Sequence, residues 1–569
     1  MEEKYSKINK YPINNPSDYD RYITIENELK KEGRIEDIEN IINLMSPPED
    51  IRSICKSEQG KKVNVAIVGT GEAGLAAAYE LKKIGCNITV FEASKRIGGR
   101  VYTHSFDRNN KYYGDFGEGS IPISHYTTWH YINLFKLGTN VCNNNNQYYY
   151  LRNAGAYNKE RQIAKNIYPR YDLTRLDKIK LKAKDHLNIY NKYLNDLKSE
   201  ERQELIQIKD NYSKNIKNLD KLSLKEAYRL EGFSEDAINM IGYINGVTEF
   251  YNASITEILQ KKYTLDNISS YNISGGMIKL PQSLYEAIIE ENLKSYSYIN
   301  KEELGKVNVK LGFYVDGVNN LESKVKVNYL DSEKNIHGSD EFDYLIITIS
   351  PNSIKRMNIS ESFSKDKLRS IDEISFKNSQ KVYLYLKERF WELERKNKRI
   401  IGGRTITDLP LYSIYYPSDN ASVHYDKNNK EIISLNKNSK TPGVLLASYS
   451  FGDKSDEFSY LSDDIKINDI INYIEKIHNL PKGYLDSIVL DYKSIVWSDV
   501  QYIWGFSNLY KPQDKTFYSY SNISPEMDNK IFFAGDNATA KHGTQQGALQ
   551  SGMIAANNVA AEIKRKYSQ

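Results

Sequence analysis

Residues 63–92 most strongly limit what this chain can fold into. They begin with a short, continuous apolar run, typical of a strand that is buried on both faces. The turn Gly69-Thr-Gly71-Glu-Ala-Gly74 follows, then a segment with helical spacing, and then a second apolar run that ends at Glu92. Strand, glycine turn, helix and strand within about thirty residues predict a βαβ unit, and therefore a parallel sheet.

The spacing of the three glycines predicts a dinucleotide site. Gly69 permits the tight turn, Gly71 lets the backbone approach a pyrophosphate, and Gly74 allows close packing of helix on strand. The helix N-terminus offers aligned N–H groups to the anion. Glu92 ends the second strand, where a carboxylate would accept hydrogen bonds from a ribose hydroxyl.

The composition excludes several classes of function. The 569 residues exceed what one hydrophobic core normally serves, and roughly two to four domains or layers are expected. The 78 basic and 74 acidic residues nearly balance, which argues against nucleic-acid binding. No membrane span, signal peptide, disulfide framework or metal site is evident, so we expect a cytoplasmic enzyme.

Further motifs point to the identity of the dinucleotide. They are Glu92-Ala93-Ser94-Lys-Arg-Ile-Gly98-Gly99-Arg100, Ile531-Phe-Phe-Ala-Gly535-Asp536 and His542-Gly543-Thr544-Gln-Gln-Gly547. In this order they resemble the FAD-dependent amine oxidase family, and similarity to its L-amino-acid oxidase branch runs from Val63 to Ala561. The family usually has Glu at Asp536, and Arg100 offers a planar fork for a phosphate.

The resemblance implies FAD as cofactor and a set of residues that contact it. That set is Gly69, Gly71, Glu72, Ala73, Gly74, Glu92, Ala93, Ser94, Gly98, Gly99, Arg100, Gly117, Glu118, Gly119, Ser120, Phe313, Trp497, Gly535, Asp536, Gly543 and Thr544.

The expected fold is α/β, with domains that interleave along the chain. Residues 1–60 are predicted to wrap the body as short helices. Segments 61–105, 270–350 and 520–569 are assigned to a discontinuous, Rossmann-like (GR2-type) FAD-binding domain, and 106–155 with 351–519 to a mixed-sheet substrate domain. Residues 156–265, rich in Lys and Glu with apolar positions three or four apart, are predicted to be a helical insert.

Lys381 is the predicted catalytic residue. It falls on the lysine that the resembled flavoenzymes place beside flavin N5, where a cation can stabilise negative charge and order a water. Two further motifs of the branch are Gly275-Gly276-Met277 and the substrate-domain signature Gly402-Gly403-Arg404-Thr-Ile-Thr-Asp408, which precedes Tyr415-Tyr416. The predicted substrate contacts are Ser120, Glu118, Tyr415, Tyr416, Trp504, Gly543 and Thr544.

Two departures from the branch concern the substrate. Amino-acid oxidases have an arginine at the position of Ser120, where it holds the α-carboxylate bidentately. They usually have an aromatic residue at the position of Thr544. Glu118 adds a carboxylate that either recognises a cationic amine or only satisfies local backbone donors.

The resemblance implies oxidation of a C–N bond by hydride transfer to flavin, followed by imine hydrolysis and reduction of O2 to H2O2. One hypothesis is an L-amino-acid oxidase whose substrate carboxylate is held by an arginine still to be placed. Others are a tailoring oxidase or dehydrogenase of a carboxylate-free amine or amide, a decarboxylating 2-monooxygenase, and a flavin-binding scaffold without turnover. A homodimer is expected by family analogy only.

Overall fold

The computed structural model describes residues 13–142, 147–289, 294–359, 362–393, 399–425, 431–436 and 438–568. Its centre is a five-stranded sheet in which every pairing is parallel. In spatial order its strands are Val307–Leu311, Asn87–Glu92, Asn64–Val68, Tyr344–Ile347 and Ile531–Phe533. The predicted βαβ unit is present, with the helix Glu72–Lys83 between its two strands.

A seven-stranded mixed sheet forms the second large layer. In spatial order its strands are Val489–Val496, Ser379–Leu386, Gly443–Phe451, Ser413–Tyr415, Arg404–Thr407, Gln147–Leu151 and Ala154–Tyr157. One pairing, between Arg404–Thr407 and Gln147–Leu151, is parallel and the others are antiparallel. The predicted α/β class with a mixed sheet is confirmed, whereas the domain boundaries stay a prediction.

Smaller sheets join these layers. An antiparallel meander is formed by Phe313–Asn320, Val325–Asp331 and Ile336–Phe342. A second three-stranded sheet has the order Ile121–Pro122, Ser270–Ile273 and Thr139–Val141. The two-stranded sheets pair Thr103–Ser105 with Tyr113–Asp115, Phe376–Lys377 with Ser507–Asn508, and Ala421–Tyr425 with Glu431–Leu435.

Helices surround the sheets on both sides. The helices in the first half of the chain are Asp18–Glu32, Ile38–Met45, Ile51–Ile54, Ser57–Gly60, Glu72–Lys83, Tyr126–Leu134, Glu160–Asn166, Arg175–Ala183, Asp185–Asn195, Ser199–Arg202, Lys214–Asp220, Leu224–Leu230, Glu235–Asn245, Thr256–Tyr263 and Lys279–Ile289. Those in the second half are Pro351–Ile354, Lys365–Glu373, Asp453–Ser459, Asp463–His478, Asp514–Ile523 and Gln545–Tyr567. Across the described ranges no helix has both the length and the apolar character needed to cross a membrane.

A buried ion cluster fastens the N-terminal segment to the helical segment. Asp37, which is fully buried, lies 3.1 Å from Arg34 Nη1 and 2.8 Å from Arg202 Nε. Ser199 Oγ donates to the other oxygen of the same carboxylate at 2.7 Å. One buried carboxylate is therefore shared by two buried guanidinium groups, that of Arg34 on its own segment and that of Arg202 across the junction.

The helix Gln545–Tyr567 packs across the helix Glu72–Lys83. A Cβ at Gly552 would lie 2.2 Å from the Ala73 carbonyl oxygen, so only glycine allows this approach. On its other face, the Gln546 and Gln550 side-chain amides donate to backbone carbonyls of residues 44–46 at 2.8 Å. The last long helix thus joins the helix of the βαβ unit to the N-terminal segment.

The substitution Asp37→Ala is expected to destabilise the protein by about 1–3 kcal/mol, because two buried guanidinium groups lose a shared carboxylate and are left with one each, Glu32 for Arg34 and Glu36 for Arg202. The measurement is the shift in Tm by circular dichroism. Glu28→Ala is the control, because Glu28 pairs with a lysine that is 72% exposed and such surface pairs contribute about 0–1 kcal/mol. Equal Tm shifts for the two variants would contradict the assignment.

Candidate active site

The glycine turn after the first strand has the geometry that the sequence predicts. Gly69 has φ +108°, a conformation that disfavours side chains, and a Cβ at Gly74 would lie 2.1 Å from the Gly69 carbonyl oxygen. Thr348 Oγ1 fills the remaining space, 2.8 and 2.9 Å from the Cβ positions of these two glycines. At Gly71, in contrast, an added Cβ would meet no protein atom within 4 Å. Gly71 therefore faces open space, in which the pyrophosphate of a dinucleotide can lie close to the protein backbone.

Glu92 is held rigidly at the edge of this space. One carboxylate oxygen accepts the Thr70 backbone N–H at 2.9 Å and the Thr70 hydroxyl at 2.8 Å. The other accepts the Ser94 backbone N–H at 2.9 Å and the Ser94 hydroxyl at 2.8 Å. Thr70, which carries half of these contacts, was not among the predicted site residues. These four hydrogen bonds fix the Glu92 carboxylate beside the open space at Gly71.

Most of the predicted cofactor residues line one elongated groove. The groove is lined by Gly69, Gly71, Glu72, Ala73, Glu92, Ala93, Ser94, Gly98, Gly99, Arg100, Glu118, Phe313, Gly535, Asp536, Gly543 and Thr544. Gly117, Gly119 and Ser120 line the adjoining cavity instead. Gly74 lies beneath the turn, and Trp497 is fully buried with its Nε1 donating to the Phe116 carbonyl at 3.0 Å.

The residues of the groove fit a dinucleotide such as FAD. The groove begins at a helix N-terminus, it has space reserved at Gly71, and it meets the adjoining cavity at Glu118, Gly543 and Thr544. Gln545, which also lines it, has a buried Oε1 that lacks a hydrogen-bond partner among the described residues. An unsatisfied polar atom at this position is a place for a ligand donor.

The Arg100 guanidinium pairs with a carboxylate. Its Nη1 donates to Asp536 Oδ2 at 3.0 Å, and its two terminal nitrogens also reach Asp536 Oδ1 and the Phe506 carbonyl. The predicted phosphate contact of Arg100 therefore stays a prediction, because Asp536 occupies the guanidinium fork. Asp536 in turn accepts the Gly543 N–H at 3.0 Å, which links the last two glycine motifs.

A cavity of about 820 Å³ adjoins the groove, and Glu118, Gly543 and Thr544 line both spaces. One wall is the seven-stranded sheet, and another comes from the helical segment. The predicted substrate residues that line it are Ser120, Glu118, Tyr415, Tyr416, Gly543 and Thr544. Trp504 lies outside both linings, stacked against Arg356 with 4.1 Å between the guanidinium carbon and the ring centre. The geometry thus brings six of these seven residues together.

Lys381 projects from the strand Ser379–Leu386 into this cavity. Its Nζ donates to the carbonyls of Asp115 and Gly117 and lies 5.1 Å from the centre of the Tyr449 ring. Burial lowers the pKa of its ammonium group to about 8. The group is therefore mostly charged at neutral pH and loses its proton in mildly alkaline solution. Its place beside residues 117–120 agrees with the predicted position next to the flavin site.

Glu118 contacts the start of the final helix. Its Oε2 accepts the backbone N–H of Gln545, the first residue of that helix, while Gln545 Nε2 donates to Glu72 at 2.6 Å. Burial raises the pKa of Glu118 to about 8. These contacts favour the interpretation that Glu118 satisfies backbone donors. Thr544 also serves the helix, because its hydroxyl accepts the Gly547 N–H at 3.1 Å as an N-cap.

A buried polar wall of the cavity was missed by the sequence reasoning. Lys541 Nζ lies 2.7 Å from Asp266, and although burial opposes ionisation, Lys541 and His125 hold the pKa of Asp266 well below its usual range. Burial raises the pKa of Glu257 to about 8 and lowers that of His542 to about 4, so His542 is neutral. No local motif marks this wall, because its members come from segments far apart in sequence. Within the described ranges, no three His, Cys, Asp or Glu side chains are grouped to hold a metal ion.

Comparison with known proteins decides the family. The family model described as flavin containing amine oxidoreductase matches residues 73–560. The chain belongs to this family. Membership confirms the predicted FAD cofactor and the prediction of an FAD-dependent oxidoreductase.

Curated relatives of this amine oxidoreductase include snake proteins. An L-amino-acid oxidase from Vipera ammodytes ammodytes is 29% identical over 512 residues, which cover 87% of this chain and 92% of the relative. One from Pseudechis australis is 27% identical over 504 residues, covering 87% and 86%. The predicted likeness to the L-amino-acid oxidase branch is confirmed.

Solved structures show the same fold at lower identity. A putrescine oxidase bound to putrescine has a TM-score of 0.62 at 18% identity, covering 88% of this chain and 99% of its own. Cyclohexylamine oxidase from Brevibacterium oxydans has a TM-score of 0.61 at 16% identity, covering 89% and 100%.

Two glycine substitutions should separate packing from cofactor binding in this amine oxidoreductase. Gly74→Ala is expected to lower the stability of the apoprotein by about 1–3 kcal/mol, because the Cβ meets the Gly69 backbone. Gly71→Ala is expected to leave the Tm of the apoprotein unchanged but to reduce FAD occupancy, measured from the ratio of flavin to protein absorbance. If Gly71→Ala binds FAD at full occupancy, the pyrophosphate of FAD does not lie against this turn.

The substitution Glu118→Gln is expected to leave KM for an amine substrate within about threefold at pH 7, because an amide oxygen can still accept the Gln545 N–H. With a pKa of about 8, the wild-type carboxyl is already largely protonated at that pH. The measurement is KM for cationic amines at pH 7. A rise of tenfold or more, with kcat preserved, would show instead that Glu118 recognises the amine.

Proposed function

We propose that this protein is an FAD-dependent oxidase that oxidises the C–N bond of a small amine or amino acid in the cavity beside Lys381. The observation that carries the proposal is the meeting of the dinucleotide groove and the 820 Å³ cavity at Glu118, Gly543 and Thr544. A substrate in the cavity would lie against the inner end of the groove. The similarity to L-amino-acid oxidases, to putrescine oxidase and to cyclohexylamine oxidase supports oxidation of amines or amino acids.

FAD, when bound, supplies the redox chemistry by accepting a hydride from the carbon next to nitrogen. The protein positions the cofactor and the substrate and excludes water from the site. The glycine turn and Glu92 would hold the nucleotide end, and Gly535, Asp536 and the start of the final helix would hold the inner end. The Tyr415 and Tyr449 rings, 5.9 Å apart between centres, form an apolar wall along which a carbon chain can lie.

Lys381 is the proposed catalytic residue. Its ammonium group is fixed by two carbonyls and stands at the cavity surface, so it can hold a water molecule without reorganising. A buried cation stabilises negative charge more strongly than an exposed one, because solvent screens it less. This water would also be placed to hydrolyse an imine product.

Position 120 has a serine where amino-acid oxidases have the arginine that holds the α-carboxylate of the substrate. Ser120 can donate one neutral hydrogen bond, and losing a charge-assisted pair costs about 1.5–3 kcal/mol in binding. A carboxylate-free amine or amide is therefore the second candidate besides an L-amino acid. A decarboxylating monooxygenase and a flavoprotein without turnover are the remaining alternatives. Formation of H2O2, a cytoplasmic location and a homodimer are proposed from the resemblance and from the sequence alone.

The test is anaerobic bleaching of the flavin by L-amino acids and by the amines that correspond to their decarboxylation. Fast bleaching by the amino acids would show that another group replaces the missing arginine. Bleaching by the amines alone would make Ser120 a specificity determinant. Absence of bleaching by either set would contradict the proposed function.

The substitution Lys381→Met is expected to slow the reaction of reduced flavin with O2 by about 10²-fold, as loss of one preorganised charge or donor does elsewhere. In the wild type this rate constant should fall as pH rises through about 8, because the ammonium group is charged below its pKa and neutral above it. The measurement is stopped-flow reoxidation as a function of pH, and the variant should show no step near pH 8.

Lys367→Met is the matched control for this experiment. Lys367 is also buried, donates to the Asn522 carbonyl at 2.7 Å, and has a pKa that burial lowers to about 7, but it lines neither the groove nor the cavity. Its replacement should leave the reoxidation rate and pH profile unchanged. Equal slowing in both variants would contradict a catalytic role for Lys381.

A further inference from the structure

Arg404 is a cationic group in the cavity wall that has no carboxylate partner. It begins the strand Arg404–Thr407 and lines the cavity. Its Nη1 donates to the Tyr415 hydroxyl at 3.2 Å, and its guanidinium carbon lies 6.0 Å from the centre of the Tyr415 ring. Among the described residues, no carboxylate oxygen lies within 4.0 Å of its nitrogens. The guanidinium group is therefore only partly satisfied by the protein.

The buried arginines Arg389, Arg34 and Arg202 do not share this property. Arg389 lines the same cavity and donates to both oxygens of Asp419 at 2.6 and 2.7 Å, with Glu392 a further 3.3 Å partner. The guanidinium groups of the Asp37 cluster are likewise paired. A guanidinium group removed from bulk water normally requires a compensating anion, because its desolvation is costly.

Glu249 is the acidic residue on the cavity wall whose charge acts on Arg404. It does not form an ion pair with Arg404; its side chain instead hydrogen-bonds Tyr412, and its Oε2 lies 3.4 Å from the Thr248 hydroxyl. Burial raises its pKa to about 7, so its negative charge is incomplete at neutral pH. The positive charge of the Arg404 guanidinium group is therefore not fully neutralised by its neighbours, and it can attract an anion from outside the protein.

The register of the seven-stranded sheet places Arg404 far from Lys381. Lys381 pairs with Tyr449 on the next strand, that strand pairs with Tyr415 through Leu446, and Tyr415 pairs with Arg404. Three strand spacings correspond to about 14 Å between the two backbones. The Lys381 ammonium group lies against the Tyr449 ring and the Arg404 guanidinium group against the Tyr415 ring, and the two ring centres are 5.9 Å apart, so the two tyrosines span the distance between the cationic groups.

We propose that Arg404 binds a carboxylate at the far end of the substrate. The substrate is then an amine whose carbon chain carries a carboxylate several bonds away from the C–N bond that is oxidised beside Lys381. This inference rests on the proposed function and specifies its substrate class. A planar guanidinium group matches a carboxylate bidentately, and within the described part of the chain the hydrogen bond of the Arg404 terminal nitrogens is the one from Nη1 to Tyr415.

The absence of an arginine at Ser120 agrees with this assignment. An α-carboxylate would lie next to the oxidised carbon, near residues 117–120 and Lys381, whereas Arg404 lies three strands away. Recognition of the acidic group has thus moved from the reacting end of the cavity to the opposite end. Specificity would depend on the distance between the amine and the carboxylate.

The experiment compares ω-amino acids of increasing chain length with the matching ω-amino amides, in the wild-type holoenzyme and in Arg404→Gln. Anaerobic flavin bleaching gives the rate and the apparent dissociation constant. At the best chain length the wild type is expected to bind the acid about tenfold or more tightly than the amide. In Arg404→Gln this preference should disappear, and Arg404→Lys should retain part of it.

A second readout does not require turnover. Unreactive dicarboxylates, such as glutarate, should perturb the flavin spectrum of the wild type on binding and should lose this affinity in Arg404→Gln. Arg152→Gln is the matched control, because Arg152 also contacts a tyrosine, Tyr171, but is paired with Asp236 at 2.6 Å and does not line the cavity. It should behave as wild type. Flavin content and Tm confirm that each variant is folded and loaded.

The outcomes separate this inference from the proposed function. If ω-amino acids and ω-amino amides bleach the flavin equally well, and Arg404→Gln changes neither, the oxidase assignment stands and the carboxylate site is wrong. If the dicarboxylate binds in an Arg404-dependent manner but no amine bleaches the flavin, the site stands and the proposed oxidase function is wrong. An equal loss of acid binding in Arg152→Gln would also overturn the assignment.

Discussion

The docking of the helix Gln545–Tyr567 is the contact on which both halves of the active site depend. Its first residue donates to Glu118 at the cavity and to Glu72 at the groove, so one turn of helix fixes two elements that are far apart in sequence. The close approach at Gly552 brings its axis against the dinucleotide-binding helix. Because core packing is dense, a shift of this helix would move both sites together.

Burial makes the charges of the cavity conditional on pH. The pKa values of Glu118 and Glu257 are raised to about 8, and that of Lys381 is lowered to about 8. In each case the cause is the loss of solvent, which disfavours the charged form of acids and bases alike. When a ligand replaces water in the cavity, the solvent around these groups changes, and this can change which of them carry charge.

Local patterns in the sequence were sufficient for the dinucleotide half of the site. The apolar runs, the glycine spacing and Glu92 all act within one βαβ unit, and the structure has each of them as expected. The cavity was less predictable, because its walls combine strands and helices whose pairing is set by long-range packing. The order of the seven-stranded sheet, which separates Arg404 from Lys381, has no local signal.

Two individual residues also show that local sequence patterns do not determine the contacts of a side chain. The phosphate contact of Arg100 stays a prediction, and its pairing with Asp536, which lies more than 400 residues later, has no local signal in the sequence. Trp504 was predicted to contact the substrate, yet its backbone has φ +49° and its ring stacks on Arg356, outside the cavity lining. Side-chain direction at a single position is decided by neighbours that the motif does not contain.

The order of the strands in the parallel sheet has a consequence for biosynthesis. The central strand Asn64–Val68 leaves the ribosome early, whereas the edge strand Ile531–Phe533 and the helix after it come more than 460 residues later. At typical elongation rates this interval lasts roughly 20–90 s. During that time the nascent chain has an incomplete sheet with an exposed edge and no inner wall for the flavin. Because the inner wall of the flavin groove is made last, we expect stable capture of the cofactor to follow synthesis of the whole chain.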